Sequence, residues 1–566
     1  MNFIKRWQYL LLLVTGLFAV VSACKNEVEQ PAPVTSITSI NPTSAPVGST
    51  VVITGTNFNT TPGSNSVTFG TVPAQVVSAT STQLVVTVPT NAGNTISVNA
   101  NGQTAQFSGT FNTADKPIIE VATDITVNTN WTAGNVYLIR GFVYVRSGAV
   151  LTIAPGTVIK GGGAATDPSG GGRGASLIIQ PGARIEAKGT AQQPIVFTSN
   201  AAAGQRKYGD WGGLVLVGKA PTNRPSATPL EGGVEGMYGS LNESTDNSGT
   251  LQYVRIEFPG IALSNAPNSE VNGLTLYSVG SGTTLDHIQV SYSGDDSYEW
   301  FGGTANAKYL VAYRGFDDDF DTDHGFIGKV QFAVSLRDPN AADQSGSNCF
   351  ESDNFGGTGE NTAALGPLAP NNGLPYTQPI FANVSAFAFQ TAPNTTNTTG
   401  GTGPYQSAMH LRRNTAISIY NSVFSGYPEG LRLDGTATGT LANVTAGRLD
   451  LQGITVANTL IPVRGAGAIT NDQALAFFND PAKKNTIVVS TDVAALLNAQ
   501  SFSLTTTPSF LPPTGSSLLV AGNATTGGKL TGDFFTPAPY RGAFNGTENW
   551  TAGWCNFDPQ NTNYNR

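Results

Sequence analysis

With 566 residues, the chain exceeds what one ordinary hydrophobic core organises, so several domains or a repeat architecture are expected. Gly (66) and Pro (33) are abundant, 12% of residues are charged, and the net charge is −8 with no basic cluster after residue 6. That composition favours short strands and turns, excludes nucleic acid as a partner for want of clustered Lys and Arg, and with three Cys excludes a disulfide-stapled miniprotein or a cysteine-ligated metal cluster.

The chain opens with Lys5 and Arg6, an apolar run over 10–21, and then Val21-Ser22-Ala23-Cys24. The run is shorter than a membrane span needs, and small residues before a single Cys match a lipoprotein signal. Residues 1–23 are therefore expected to be cleaved and Cys24 lipidated, its acyl chains holding the protein on a bilayer at the head of a linker over 24–34. Lys25 at the following position favours the outer membrane, and the acidic stretch to Glu29 favours display at the cell surface.

Residues 35–113 read as a small β-sandwich. Short runs with alternating faces occur at Ile37–Ile40, Val51–Gly55, Val67–Gly70, Leu84–Pro89 and Ile96–Asn99, divided by turn residues. The opening Ile40-Asn41-Pro42, the Ile53-Thr54-Gly55-x-x-Phe58 element, Val67-x-Phe69-Gly70 and Val88-Pro89 resemble the IPT/TIG family of immunoglobulin-like domains. The resemblance implies a spacer or binding module, and no catalytic constellation is visible in the segment.

From residue 114 to 535 the pattern changes to repeated strand and corner. Leu151-Thr152-Ile153-Ala154-Pro155-Gly156 recurs 26 residues on as Leu177-Ile178-Ile179-Gln180-Pro181-Gly182, and strand-like segments continue through Ile195–Thr198, Trp211–Leu216, Tyr253–Ile256, His287–Val290 and Tyr309–Ala312. Stacked coils with alternate residues facing one core give this pattern, and the Pro-Gly spacing is too short for a four-stranded propeller blade. The expected fold class is all-β, a small Ig-like sandwich followed by a long right-handed parallel β-helix. The segments Thr152–Lys160, Gly209–Gly213, Tyr298–Thr304, Asp317–Asp323 and Phe350–Asn354 resemble a group of Gram-negative β-helix lipoproteins, which implies a surface location and brings no activity with it. The aromatic tail 536–566 is expected to cover the open C-terminal coil, and the protein to be a monomer.

Eight acids lie between 295 and 323, against Lys308 and Arg314. Asp295 and Asp317, Asp296 and Asp318, Glu299 and Asp321, and Gly303 and Gly325 all share a 22-residue offset, which as one coil stacks carboxylates in tiers. Three readings follow: a solvated acidic turn, a Ca²⁺ site, or a catalytic cleft. The calcium reading uses Asp295, Asp296, Glu299, Asp317, Asp318 and Asp321, closed by Glu351 or Asp353. The catalytic reading uses Asp295, Asp296, Asp317, Asp318, His324 and Arg314. Gly294-Asp295-Asp296 and Asp323-His324-Gly325 look partly like polygalacturonase motifs, although no Arg-Ile-Lys element follows, and Arg314 could serve a lyase.

Flanking Tyr298, Trp300, Tyr313, Phe316 and Phe320 suit core filling better than sugar stacking, and His287, where other coils carry Tyr, reads as structural. Cys349 and Cys555 could form a disulfide or stand as two free thiols. The reading taken forward is a glycan-binding surface lipoprotein stiffened by calcium; a polysaccharide lyase or hydrolase, or a purely structural surface protein, are the alternatives.

Overall fold

The computed structural model describes residues 33–225, 228–238, 242–262, 269–354, 373–393 and 403–565. The expected signal peptide and Cys24 lie outside the described residues. The described residues form two compact units that divide between Ala114 and Asp115.

In the first unit two antiparallel four-stranded sheets face each other. One contains Ser36–Asn41, Thr50–Thr56, Gln83–Thr87 and Val76–Ala79; the other contains Val72–Ala74, Asn65–Phe69, Ile96–Ala100 and Gln103–Gln106. Alternation places Val51, Ile53, Val67, Phe69, Leu84, Val86, Ile96 and Val98 in the shared core, as a sandwich requires. Gly55 is fixed by space, because a Cβ there would lie 1.9 Å from the Ser36 carbonyl oxygen.

The second unit is a parallel β-helix whose coils each contribute three strands. The first and second strands build a 17-stranded sheet and the third a 10-stranded sheet. Inward residues such as Leu151, Ile185, Leu216, Leu276, Trp300, Phe350 and Leu431 fill one continuous core. The 22-residue offset is one coil: Glu299 pairs with Asp321 and Ile288 with Leu310. The 26-residue Pro-Gly recurrence is not. Leu177 stacks on Val143 and Leu151 on Ile185. Pro155-Gly156 turns from a first strand into a second, whereas Pro181-Gly182 turns from a third strand into the next coil.

In the middle coils the first and second strands fuse around one residue in the left-handed region: Tyr253 (φ 50), His287 (φ 53), Tyr309 (φ 59), Phe332 (φ 62) and Asn383 (φ 57); Asn421 (φ 49) holds the same place between two separate strands, Ser418–Tyr420 and Val423–Ser425. A left-handed non-glycine residue costs roughly 1–2 kcal/mol, and stacking offsets this. Tyr253 and His287 lie 4.3 Å apart, His287 and Tyr309 4.3 Å, and Tyr309 and Phe332 5.1 Å, all with near-parallel rings. His287 is thus structural, as its strand position suggested.

The tail corrects an expectation. It does not close the C-terminal coil; it runs back along the outside of the helix as a strap. Gln289, Gln331 and Asn421 each grip a strap residue by two hydrogen bonds, donating to its carbonyl and accepting from its N–H at Asn556, Thr536 and Thr525 respectively. Asn383 Nδ2 donates to the Tyr540 carbonyl. Trp554 lies edge-on against Tyr253 and His287, and Trp550 against Tyr309. What closes the C-terminal end of the core is the helix Asn471–Phe478, started by a Thr470/Gln473 capping box, with Phe477 and Phe478 buried in the central cluster.

The disulfide alternative is also corrected: Cys349 and Cys555 are free. Cys349 belongs to the interior core and Cys555 to the cluster under the strap, so the wall of the helix separates them.

Because Trp554 is 1% exposed, Trp554→Ala should destabilise the β-helix by about 3–5 kcal/mol in chemical denaturation. A loss below about 1 kcal/mol would mean that the strap rests on the coils without stabilising them.

Candidate functional site

The corner between the second and third strands positions the acids. At the residue two before each third strand, a side-chain oxygen accepts the backbone N–H of the equivalent residue one coil on. Asn272 Oδ1 accepts from Asp296 N (3.3 Å), Asp296 Oδ1 from Asp318 N (2.8 Å), Asp318 Oδ1 from Asn348 N (2.5 Å) and Asn348 Oδ1 from Ser407 N (3.0 Å). This ladder needs one acceptor per coil, and Asn supplies it at both ends. At 296 and 318 the acceptor is Asp, whose second oxygen brings a negative charge that the ladder does not use.

A second row lies on the third strands themselves, where pairing stacks Thr275, Glu299, Asp321, Glu351, His410, Arg432 and Arg464 in register. The outward face therefore passes from three acids to a histidine and two arginines. A third row, Asp295 and Asp317, stands further out beside Glu270, Glu231 and Asp343. The result is an open cleft of about 930 Å³, lined among the described residues by ten carboxylates, from Glu231 to Glu351, and by one basic residue, Arg412.

Three sets of oxygens lie within 4.8 Å of one another: Asp295, Asp296 and Asp317; Asp296, Glu299 and Asp321; and Asp318, Asp321 and Glu351. One oxygen each of Asp317 and Asp321 is buried with no hydrogen-bond partner. Burial, reinforced by neighbouring carboxylates, pushes Asp295, Asp296, Glu299, Asp317, Asp318 and Asp321 well above the usual carboxylate range, and Glu231 up to about 7. Glu351 goes the other way. Burial opposes its ionisation, but Arg412 and His410 outweigh burial and hold it at about 2. The donors are all oxygens, the set a hard cation takes, so these residues fit calcium.

Asp295, Asp296, Glu299, Asp317, Asp318, Asp321 and Glu351 thus meet in the cleft. Asp353 does not line it: the carboxylate is held by Arg412 (2.9 Å) and Arg413 (2.6 Å), and burial raises it to about 6. The catalytic set is not one constellation. Arg314 ends a second strand with φ 56, pairs with Asp338 and lies 5.0 Å over the Tyr292 ring, outside the cleft. His324, at the far end of its third strand, is buried between the Tyr238 hydroxyl and the Asp323 carboxylate, each 3.1 Å away.

Asp319, third of the Asp triplet, faces away from both neighbours into a fully buried pair with Arg337 at 3.0 Å. Tyr298, Trp300 and Phe320 fill the core, and Tyr313 is buried against the strap. Sequence reasoning missed Glu231, Glu270 and Asp343, which arrive on connecting loops of irregular length, and Asn272 and Asn348, whose shared ladder position was the available signal.

An immunoglobulin-like domain joined to a parallel β-helix with an acidic corner cleft defines the class. A model described as the pectate-lyase-like beta helix domain matches residues 123–499, and an IPT/TIG domain model matches residues 35–113. The chain belongs to the pectate-lyase-like β-helix family. No curated protein matches it. Among solved structures, an auxiliary nutrient binding protein from Bacteroides thetaiotaomicron shares 23% identity over 15% of this chain and 21% of its own, with a TM-score of 0.14. A protein of the same description from Bacteroides ovatus shares 21% over 15% of this chain and 21% of its own (TM-score 0.13). A Bacteroides thetaiotaomicron protein of unknown function shares 18% over 16% of this chain and 25% of its own (TM-score 0.14). The chain thus spans about a fifth to a quarter of the length of each.

The raised carboxylates carry a linkage consequence with a definite sign. Unfolded Asp and Glu titrate near 4. Groups whose folded pKa lies above that bind protons more tightly when folded, so their stabilisation is complete below about pH 4 and is lost as pH rises through the folded values. In chelator, the melting temperature should therefore rise as pH is lowered from 7 to 5. Glu351 acts in the opposite sense only between about 4 and about 2, outside that window. A melting temperature that falls from pH 7 to 5 would show that the acids are ionised without strain.

Proposed function

We propose that the protein is an outer-membrane, surface-facing lipoprotein whose β-helix holds calcium in the acidic cleft and binds the acidic groups of a glycan there. The observation that carries this reading is the use of Asp at 296 and 318, where the corner ladder needs only the acceptor that Asn supplies on either side. Two charges added where structure does not require them, beside buried unpartnered oxygens of Asp317 and Asp321, fit a cation better than a solvated turn. A cation left with open coordination positions bridges naturally to the carboxylates of an acidic polysaccharide, and the pectate named in the family description is of that kind. Arg412 is committed to Glu351 and Asp353 and is held strongly protonated by them, which suits anchoring rather than proton abstraction.

Calcium binding to the folded state alone should raise the melting temperature progressively. Asp321→Asn removes a residue shared by two of the three oxygen sets and should abolish most of that rise. If millimolar Ca²⁺ gives neither a melting shift nor heat in calorimetry, the calcium reading is wrong. The same protein, incubated with acidic and neutral polysaccharides with and without Ca²⁺, should bind the acidic ones without releasing sugar. Unsaturated or reducing ends lost in Asp318→Asn would replace binding with lyase or hydrolase activity.

The membrane anchor rests on Val21-Ser22-Ala23-Cys24. Cys24→Ser should move the protein from the membrane fraction to the soluble one; continued sedimentation with membranes would require a different anchor.

A further inference from the structure

A second concavity, of about 1340 Å³, opens between the strap and the corner that carries Tyr292 and Arg314. It is assembled from distant parts of the chain: Arg206, Lys207 and Tyr208 from one corner loop, Tyr292 and Arg314 from the ends of successive second strands, and strap residues including Asn549 and Asp558. Its character is unlike that of the acidic cleft. Tyr208 and Tyr292 are half-buried, with ring centroids 5.3 Å apart and planes tilted by 55°, and both line the opening. Phe258, stacked on Tyr292 at 4.9 Å, and Phe316, 5.9 Å from Tyr208, back the pair and fix it.

Three cations line this groove against one carboxylate, Asp558. Arg314 lies over the Tyr292 ring and is held there by Asp338. Arg206 is buried, donates to the Pro559 carbonyl and stacks 5.0 Å over Tyr564, so it lends fixed positive charge to the wall. Lys207 is exposed and forms no ion pair among the described residues, which leaves its ammonium free for a ligand. Thr and Asn side chains make up much of the remaining rim.

We propose that this groove is a second, calcium-independent saccharide site, taking an acidic sugar with its ring against Tyr208, which Tyr292 backs, and its carboxylate on Lys207. Aromatic faces bind the C–H side of a sugar ring while a nearby cation selects the acid. Isolated cations among hydroxyl and amide groups suit one carboxylate per ring, whereas a polyphosphate chain needs clustered charge. The inference does not rest on the acidic cleft, because the groove contains none of its carboxylates.

The test uses the full folded protein in excess EDTA, which silences any cation-mediated binding. A hexamer of α-1,4-linked galacturonic acid serves as the probe, and a neutral glucose hexamer as its comparison. Measurable affinity for the acidic hexamer in EDTA is expected, weakened about tenfold or more by Lys207→Glu and by Tyr208→Ala, with the neutral hexamer bound weakly. Lys207 is exposed, so its variant should melt with the wild type and decides the matter even if Tyr208→Ala loosens the corner. Absence of acidic-hexamer binding in EDTA, binding unchanged by Lys207→Glu, or equal affinity for the neutral hexamer each overturns the proposal. Failure of the calcium reading would show instead as a missing melting shift with Ca²⁺, so the two failures are separable.

Discussion

In a parallel β-helix the backbone groups of each coil are satisfied by the coils on either side, and that bonding holds equivalent residues about 4.8 Å apart. Every side chain is therefore placed over its own counterpart. For flat rings the spacing is favourable, and the ladder from Tyr253 to Phe332 uses it to stabilise a run of left-handed residues. For Asn it is favourable as well, since one oxygen reaches the next backbone N–H. For carboxylates the same spacing is repulsive, by a few kcal/mol per pair at an effective dielectric near 20. The helix can carry rows of rings and amides without help, but rows of acids need a counter-charge or protons.

That contrast separates the two halves of the third-strand face. Beyond Glu351 the stacked positions become His410, Arg432 and Arg464, and buried carboxylates answer them: Arg464 meets Glu429 at 2.5 Å, and His410 lies 3.5 Å from Glu351. Before Glu351 no such answer exists among the described residues apart from Arg412. The structural Asp of the triplet, Asp319, shows what a satisfied acid looks like here, with Arg337 and a hydrogen bond from Ser335. Asp317 and Asp318, the two residues before it, form no ion pair among the described residues. Charge left uncompensated in a concave corner marks a place where the fold tolerates strain for the sake of something else.

Much of this was legible in the chain. The sandwich strands follow from period-two alternation in a segment with no insertions. The coil register around Glu299 and Asp321 could be read because consecutive coils there have equal length, so one offset relates every position. Elsewhere the corners carry insertions such as 200–212 and 337–349, the offset drifts, and two Pro-Gly corners of different kinds pass for a repeat. Arg314 and His324 sit near the acids in sequence, yet both adopt left-handed backbone at strand ends, which aims their side chains away from the cleft. The course of the strap had no local signature at all, since the amides that hold it lie hundreds of residues away: Gln331 is 205 residues from Thr536 and Gln289 is 267 from Asn556.

From Asn421 the strap passes to Gln331, turns back to Asn383 and, through Gly542, to Asn421 again, and then crosses Gln289 to end where Tyr564 donates to Glu257 and Asn565 meets Lys160. It thus ties together coils that lie far apart along the axis, and holds the Asn421 coil at two points of its own length. A chain in which a coil between two of these contacts had slipped would present them out of step, and the strap could engage those on one side of the error but not on both. Docking of the strap therefore tests the winding of the coils it crosses, so that a miscounted helix keeps an open seam of aromatic rings and a correctly counted one does not.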